Sequence, residues 1–126
     1  MKSLSAVDLT APRLPPQNIE AEQSVLGGIL LDNTAMAKAM EVLTDQEFYR
    51  TAHRKIYQAM LELSDRGEVI DQITLTECLK GRSELEAVGG SAYLAELVQA
   101  VPTAANIRYH SKIVRDKALL RGLIQT

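Results

Sequence analysis

The sequence is poor in the residues that build disulfides, zinc sites and β-sheets. Its single cysteine, Cys78, excludes an intrachain disulfide, and its two histidines, His53 and His110, are too far apart for a zinc-binding spacing. The chain has no tryptophan, four tyrosines and one phenylalanine, and it has few alternating runs of β-branched residues from which strands could form. These absences favour an all-α fold.

Long hydrophobic runs are also absent. The longest apolar stretch, residues 25–31, is interrupted by two glycines and falls far short of the roughly 20 residues that a membrane-spanning helix needs. The first sixteen residues contain no apolar block of the kind found in secretory signals. We therefore expect a cytoplasmic protein with no membrane partner.

Catalytic and nucleotide-binding motifs are missing as well. Neither GxxxxGK[ST] nor GxGxxG occurs, so the chain lacks the loop that holds the phosphates of ATP. No nucleophile, base or carboxylate stands at a suggestive spacing from His53 or His110, and Cys78 is typical of a small buried hydrophobe. The sequence predicts no catalytic, cofactor-binding or metal-binding residue.

The net charge of −2 conceals an asymmetry. After Asn106 the chain has five cations and one acid, a local charge of +4; the cations are Arg108, Lys112, Arg115, Lys117 and Arg121. A solvated helix face is the ordinary explanation of such a cluster. The alternative is an autonomous helical nucleic-acid-binding module that uses this basic last helix to follow phosphates.

What the chain does contain is a distinctive opening segment, PPQNIEAEQSVLGGILLDN, at residues 15–33. Asn18 can cap a helix that begins at about Ile19, and the dipole of that helix accounts for Glu20 and Glu22. The pair Gly27 and Gly28 interrupts the apolar stripe of the helix. Because glycine is costly in a helix interior, the pair predicts another element pressed close against the backbone.

Further caps and breaks predict a compact bundle of about six short helices. The expected N-terminal caps are Asn33, Thr74 with Glu77, Ser83 with Glu86, and Ser91, and Thr51 is expected to open a longer helix. The expected ends and corners are a single turn at residues 44–48, Gly67 as a left-handed cap, Gly81, a tight corner at Gly89 and Gly90, and Pro102. Met36, Met40 and Met60 are predicted to fill the core.

The last predicted helix, from about Thr103, receives no stop signal and is apolar over a wide arc. One face is expected to carry Ile107, His110, Ile113, Val114, Leu120 and Ile124, with Leu119 and Leu123 beside it. This is more apolar surface than one contact covers, so the pattern predicts a second helix as partner. The candidate subunit-interface residues are Ile113, Leu120, Leu123 and Ile124.

Three segments together resemble the N-terminal domain of the bacterial replicative DNA helicase, the DnaB family: residues 15–33, 48–80 (FYRTAHRKIYQAMLELSDRGEVIDQITLTECLK) and 85–124 (LEAVGGSAYLAELVQAVPTAANIRYHSKIVRDKALLRGLI). The resemblance implies that the last helix is the first arm of a helical hairpin that pairs with a neighbouring subunit. It also implies a hexameric collar built as a trimer of dimers. DnaG-type primase, a helicase loader and DNA are the implied partners.

The residue patterns and the resemblance together give the expected domain plan. Residues 1–14 would be a disordered N-terminal tail, 15–102 a helical globular body, and 103–126 the start of a truncated hairpin. The RecA-like ATPase domain, which would bind ATP and Mg²⁺ and unwind DNA, would be absent from this chain. We therefore expect an assembly and interaction domain that is not itself an enzyme.

Overall fold

The structure is a computed structural model that describes residues 14–124, and every regular element in that range is helical. Its elements, in order, are α1 (Ile19–Leu31), α2 (Thr34–Met40), a 3-10 turn (Asp45–Glu47), α3 (Thr51–Asp65), α4 (Gln72–Gly81), α5 (Gly90–Gln99) and α6 (Ile107–Ile124). The all-α prediction is confirmed. The tail predicted for residues 1–14 lies, except for Leu14, outside the described residues.

Helix α1 is the centre of the domain and packs mainly against α5 and α6. Its start is set by Asn18, whose side-chain oxygen accepts the backbone N–H of Ala21 at 2.9 Å. Gly27 brings α5 very close, because a Cβ at this position would lie 2.2 Å from the carbonyl oxygen of Leu97. At Gly28 an added Cβ would make only ordinary contacts of 3.6 Å and more, with Ile107 and Ala104.

Helix α2 is not capped by Asn33, contrary to the sequence prediction. Asn33 already has helical backbone angles, whereas Asp32 is extended and its Oδ1 accepts the N–H of Thr34 at 3.0 Å. The side chain of Asn33 instead bonds both backbone groups of Ile70, and so ties α2 to the segment before α4. The core assignment of Met40 is also wrong, since its side chain is exposed.

Helices α3 and α4 are joined by a loop that begins at Gly67, which has the expected left-handed φ of +71°. The capping box predicted for Thr74 and Glu77 lies one turn earlier. Asp71 accepts the N–H of Thr74 at 2.8 Å, and the Thr74 hydroxyl accepts the N–H of Asp71 at 2.9 Å. Asp71 takes this position because its backbone is extended, so α4 begins at Gln72.

The corner before α5 is tight, as expected, but its caps differ from the prediction. Gly89 and Gly90 have φ of +111° and +73°. Ser83 has a φ of +58°, so it does not start a helix with Glu86, and residues 85–89 form turns. Ser91 is not a cap either, because α5 already includes Gly90.

Helix α6 begins at Ile107 rather than Thr103 and lies across α1. Its buried row consists of Ile107, Ser111, Val114 and Arg121. The expectation of a single apolar face is therefore wrong: Ile113, Leu120 and Ile124 are exposed, on a different side of the helix from Ile107 and Val114. A buried serine and a buried arginine on the inner row were not predicted.

Candidate functional site

Glu22, His53 and Tyr93 form a chain of hydrogen-bonded polar side chains in which Glu22 and His53 are buried and Tyr93 is half-buried. Nδ1 of His53 lies 2.7 Å from Oε1 of Glu22, and Nε2 lies 2.7 Å from the hydroxyl of Tyr93. Gln23 donates to the same hydroxyl at 3.1 Å. Residues of α1, α3 and α5 are thereby joined inside the domain.

Glu22 has a different role from the one its position suggests. Its carboxylate accepts the backbone N–H groups of Tyr49 at 2.6 Å and Arg50 at 3.4 Å, at the N-terminal end of α3. Helix α3 has no side-chain cap of its own. A carboxylate at this end satisfies free donors and favours the helix dipole, so Glu22 stabilises α3 as well as its own helix.

His53, which was expected to have no partner, has one at each ring nitrogen. With the carboxylate of Glu22 ionised, one neutral tautomer of His53 satisfies every group: Nδ1–H donates to Glu22, and Nε2 accepts from the hydroxyl of Tyr93. The rings of His53 and Tyr93 are nearly parallel, with 11° between their planes. No spacing could have indicated these contacts, because the residues are 31 and 40 positions apart in sequence.

The order carboxylate, imidazole, phenol is also found in catalytic relays, but this one is not reachable by a substrate. His53 has no exposed surface, and Glu22 is 1% exposed. Among residues 14–124, no group of three or more histidine, cysteine, aspartate or glutamate side chains could hold a metal ion. The arrangement fits a role in holding three helices together.

A second candidate is a cavity of about 490 Å³ between the end of α3 and α4, lined in part by Glu62, Ile73, Cys78 and Arg82. Burial raises the pKa of the Cys78 thiol, which disfavours its reactive thiolate. Hydrogen bonds from Arg66 and Arg82 lower the pKa of the Glu62 carboxyl. The carboxylate therefore stays ionised, and its charge is balanced by these two arginines. The neighbouring Glu62 carboxylate raises the pKa of the Cys78 thiol further, so the cavity holds a thiol beside an acid and not an activated nucleophile.

The exposed apolar side chains of α6 form the third feature. Leu119, Leu120, Leu123 and Ile124 are 62%, 45%, 73% and 68% exposed, and all lie within the last six described residues. Ile113 is only 36% exposed, because it also lines the cavity beside the start of α1. Four of these five residues, all except Leu119, are the interface candidates taken from the sequence.

The basic residues of α6 do not form one continuous surface for phosphates. Arg121 is buried against the body, and Arg108 pairs at 3.2 Å with Glu41, which directly follows α2. Arg121 is therefore withdrawn from solvent and Arg108 already faces an acid of the same chain, so the nucleic-acid alternative has fewer than five cations available for phosphates.

The structure thus defines an all-helical domain with a buried polar core network and an exposed apolar face on its last helix. Comparison with known proteins gives its family. The family model described as "DnaB-like helicase N terminal domain" matches residues 14–116. The chain belongs to this family, as the sequence resemblance predicted.

Individual relatives support the assignment. The chain is 51% identical over 119 residues to the replicative DNA helicase DnaB of Geobacillus stearothermophilus, and 56% identical over 119 residues to the replicative DNA helicase DnaC of Bacillus subtilis (strain 168). Each alignment covers 94% of this chain and 26% of the relative, so the chain spans about a quarter of their length.

Solved structures agree in fold. The crystal structure of the N-terminal domain of DnaB helicase from Mycobacterium tuberculosis is matched with a TM-score of 0.87 and 48% identity, over 89% of this chain and 78% of that one. A structure titled "The Structure Of A DnaB-Like Replicative Helicase And Its Interactions With Primase" is matched with a TM-score of 0.74 and 29% identity, over 86% of this chain and 25% of that one. Within residues 14–124, no helix is long and apolar enough to cross a membrane.

Proposed function

We propose that this domain serves in subunit pairing and partner docking within a hexameric replicative DNA helicase. The observation that carries the proposal is the exposed row on α6. Ile113, Leu120 and Ile124 are spaced by seven and four residues, which places them on one side of a helix. A row of large apolar side chains in water is typical of a surface that a partner covers.

The occupant we propose is the same helix of a second subunit. In a two-fold pair, each copy presents the same surface, so one row of apolar residues suffices for both sides. Leu123 is exposed beside this row and widens the contact. The pairing is the first step of the trimer-of-dimers collar that the family resemblance implies.

The second proposed partner is a DnaG-type primase. The support is the DnaB-like replicative helicase described together with its interactions with primase, which shares this fold over 86% of this chain. A helicase loader and DNA would be met by the assembled ring in the cytoplasm. Because this chain lacks GxxxxGK[ST], ATP and Mg²⁺ would be bound elsewhere in the longer polypeptide, and unwinding would be driven there.

Sedimentation equilibrium tests both partners. The chain is measured from micromolar to millimolar concentration, alone and with the C-terminal domain of a DnaG-type primase. We expect weak, concentration-dependent self-association and a complex with the primase domain. A strict monomer that does not bind primase would contradict both assignments.

A paired substitution locates the self-association surface. Leu120→Asp with Ile124→Asp should abolish the dimer while leaving helical content nearly intact, because both side chains are already in water. The matched control is Val69→Asp with Ile73→Asp, which changes two exposed apolar residues at and before the start of α4. If the α6 variant unfolds, the residues belong to the core of the domain; if the control alone disrupts the dimer, the contact lies on α4.

A further inference from the structure

Arg121 is the only buried cation in residues 14–124, and it lies on the helix that we propose for subunit pairing. Its side chain and backbone are together 6% exposed. A charge removed from water is costly unless its donors are satisfied, so a buried arginine must have compensating contacts.

The contacts of Arg121 join three parts of the chain that are distant in sequence. Nη1 donates to the carbonyl oxygen of Pro16 at 2.8 Å, just before α1, and Nη2 donates to the carbonyl oxygen of Glu47 at 2.6 Å, at the end of the 3-10 turn. The guanidinium also lies over the ring of Tyr49, with 5.4 Å to its centroid. Both acceptors are main-chain carbonyls, so the site depends on geometry and not on a titrating acid.

Arg121 is the last residue of the buried row of α6. The inner row of the helix is apolar at Ile107 and Val114, and seven residues later it reaches Arg121. Between Val114 and Arg121 the inner row has only the half-buried Ala118. Arg121 is therefore the last buried attachment of α6 to the body.

The residues proposed for pairing surround this attachment. Leu120 precedes Arg121 directly, and Leu123 and Ile124 follow within three residues. We propose that Arg121 is a positioning residue that clamps the outer end of α6 to the body, so that the apolar row is held in one orientation before a partner arrives. This inference rests in part on the proposed pairing function.

This clamp requires the planar guanidinium of an arginine, with its several N–H donors. It reaches two carbonyls and covers an aromatic ring at once, whereas a lysine ammonium is a compact charge that can satisfy one carbonyl or the other. A partner that binds only the clamped arrangement gains affinity in proportion to the fraction of molecules that hold it.

Hydrogen exchange measures the clamp without reference to any partner. We compare Arg121→Met, Arg121→Lys and the control Lys112→Met, which removes an exposed cation from the same helix. In Arg121→Met the protection of amides 119–124 should fall about tenfold, with a smaller fall in Arg121→Lys and none in Lys112→Met. Amides of α1 and α3 should be unchanged in all three.

Two exchange results would overturn the inference. Unchanged protection of amides 119–124 in Arg121→Met would show that the helix end is held by something else. An equal loss of protection in α1, α3 and α6 would show that Arg121 supports the whole domain and does not position one helix.

Self-association separates this inference from the proposed function. Both subunits of a pair must be clamped, so the dimer affinity falls as the square of the clamped fraction, and a variant clamped in about a third of its molecules should dimerise about tenfold more weakly. If the exchange result is as expected and dimerisation does not change, the clamp is supported and pairing through α6 is wrong. If both change together, the clamp prepares the pairing surface.

Discussion

Oε1 of Glu22 lies 2.7 Å from Nδ1 of His53, across 31 residues of chain. The other oxygen of the same carboxylate accepts the backbone N–H of Tyr49 at 2.6 Å. Helix α3 has no side-chain cap of its own, so a residue of α1 supplies it. One buried carboxylate therefore joins the central helix, the loop before α3 and the first turn of α3.

We expect Glu22→Gln to destabilise the domain by about 2–4 kcal/mol, because it removes a buried carboxylate that accepts several hydrogen bonds. The amide has nearly the same volume, but its NH₂ group would face the N–H of either Tyr49 or His53, which are both donors. It also places no negative charge at the N-terminal end of α3. Urea unfolding monitored by circular dichroism measures the loss. Glu20→Gln, two residues away and exposed, should change stability by less than about 0.5 kcal/mol. Equal effects of the two substitutions would show that only the dipole of α1 is involved.

Tyr93→Phe tests the other end of the network. The ring remains, but His53 and Gln23 lose the hydroxyl that both contact. We expect a loss of about 1–2 kcal/mol in the free energy of unfolding, because a buried imidazole nitrogen is left without a partner. Tyr109→Phe removes an exposed hydroxyl from α6 and is the matched control, with a change near zero. A Tyr93→Phe protein as stable as this control would mean that the hydroxyl contributes nothing.

Local signals in the sequence predicted where most helices begin and end. Asn18 caps α1, and Gly67 has the left-handed φ that ends α3. The errors at α2 and α4 have one physical cause: several neighbouring residues can cap, and the one that does so is the one whose backbone is extended. Asp32 and Asp71 meet that condition, but a sequence does not show φ.

The candidate site could be predicted only in part. The exposed residues of α6 were foreseen because an apolar arc that is too wide is visible in a helical repeat. The chain from Glu22 through His53 to Tyr93 was not foreseen, because it depends on how three helices pack. The buried position of Arg121 is similar: its charge suggested an outer surface, while two carbonyls and a tyrosine ring stabilise it inside.

The glycine pair of α1 predicted a close neighbour, and the structure distinguishes its two members. Gly27→Ala should cost more than about 3 kcal/mol or prevent folding, because the new Cβ would meet the carbonyl oxygen of Leu97 at 2.2 Å. Gly28→Ala makes ordinary contacts inside α1, so the gain in helix propensity should make it neutral or stabilising by up to about 1 kcal/mol. Gly122→Ala in α6 has open space and should stabilise the domain by about 0.5–1 kcal/mol. Thermal unfolding of the three variants measures this order, and equal effects of Gly27→Ala and Gly28→Ala would contradict the close contact with α5.

Gly89 combines two constraints, and its substitution should therefore affect the network as well as the corner. Its φ of +111° disfavours any residue with a Cβ, and a Cβ there would lie 2.8 Å from Cβ of Tyr93. We expect Gly89→Val to destabilise by about 2 kcal/mol or more, measured by thermal unfolding. Gly81→Val, at the exposed end of α4, is the control and should change stability little. Because the displaced ring would already have lost its contact with His53, Gly89→Val combined with Tyr93→Phe should cost less than the sum of the two. Strictly additive losses would show that the corner acts only through its own backbone, and an unchanged melting temperature would show that Gly89 is not required there.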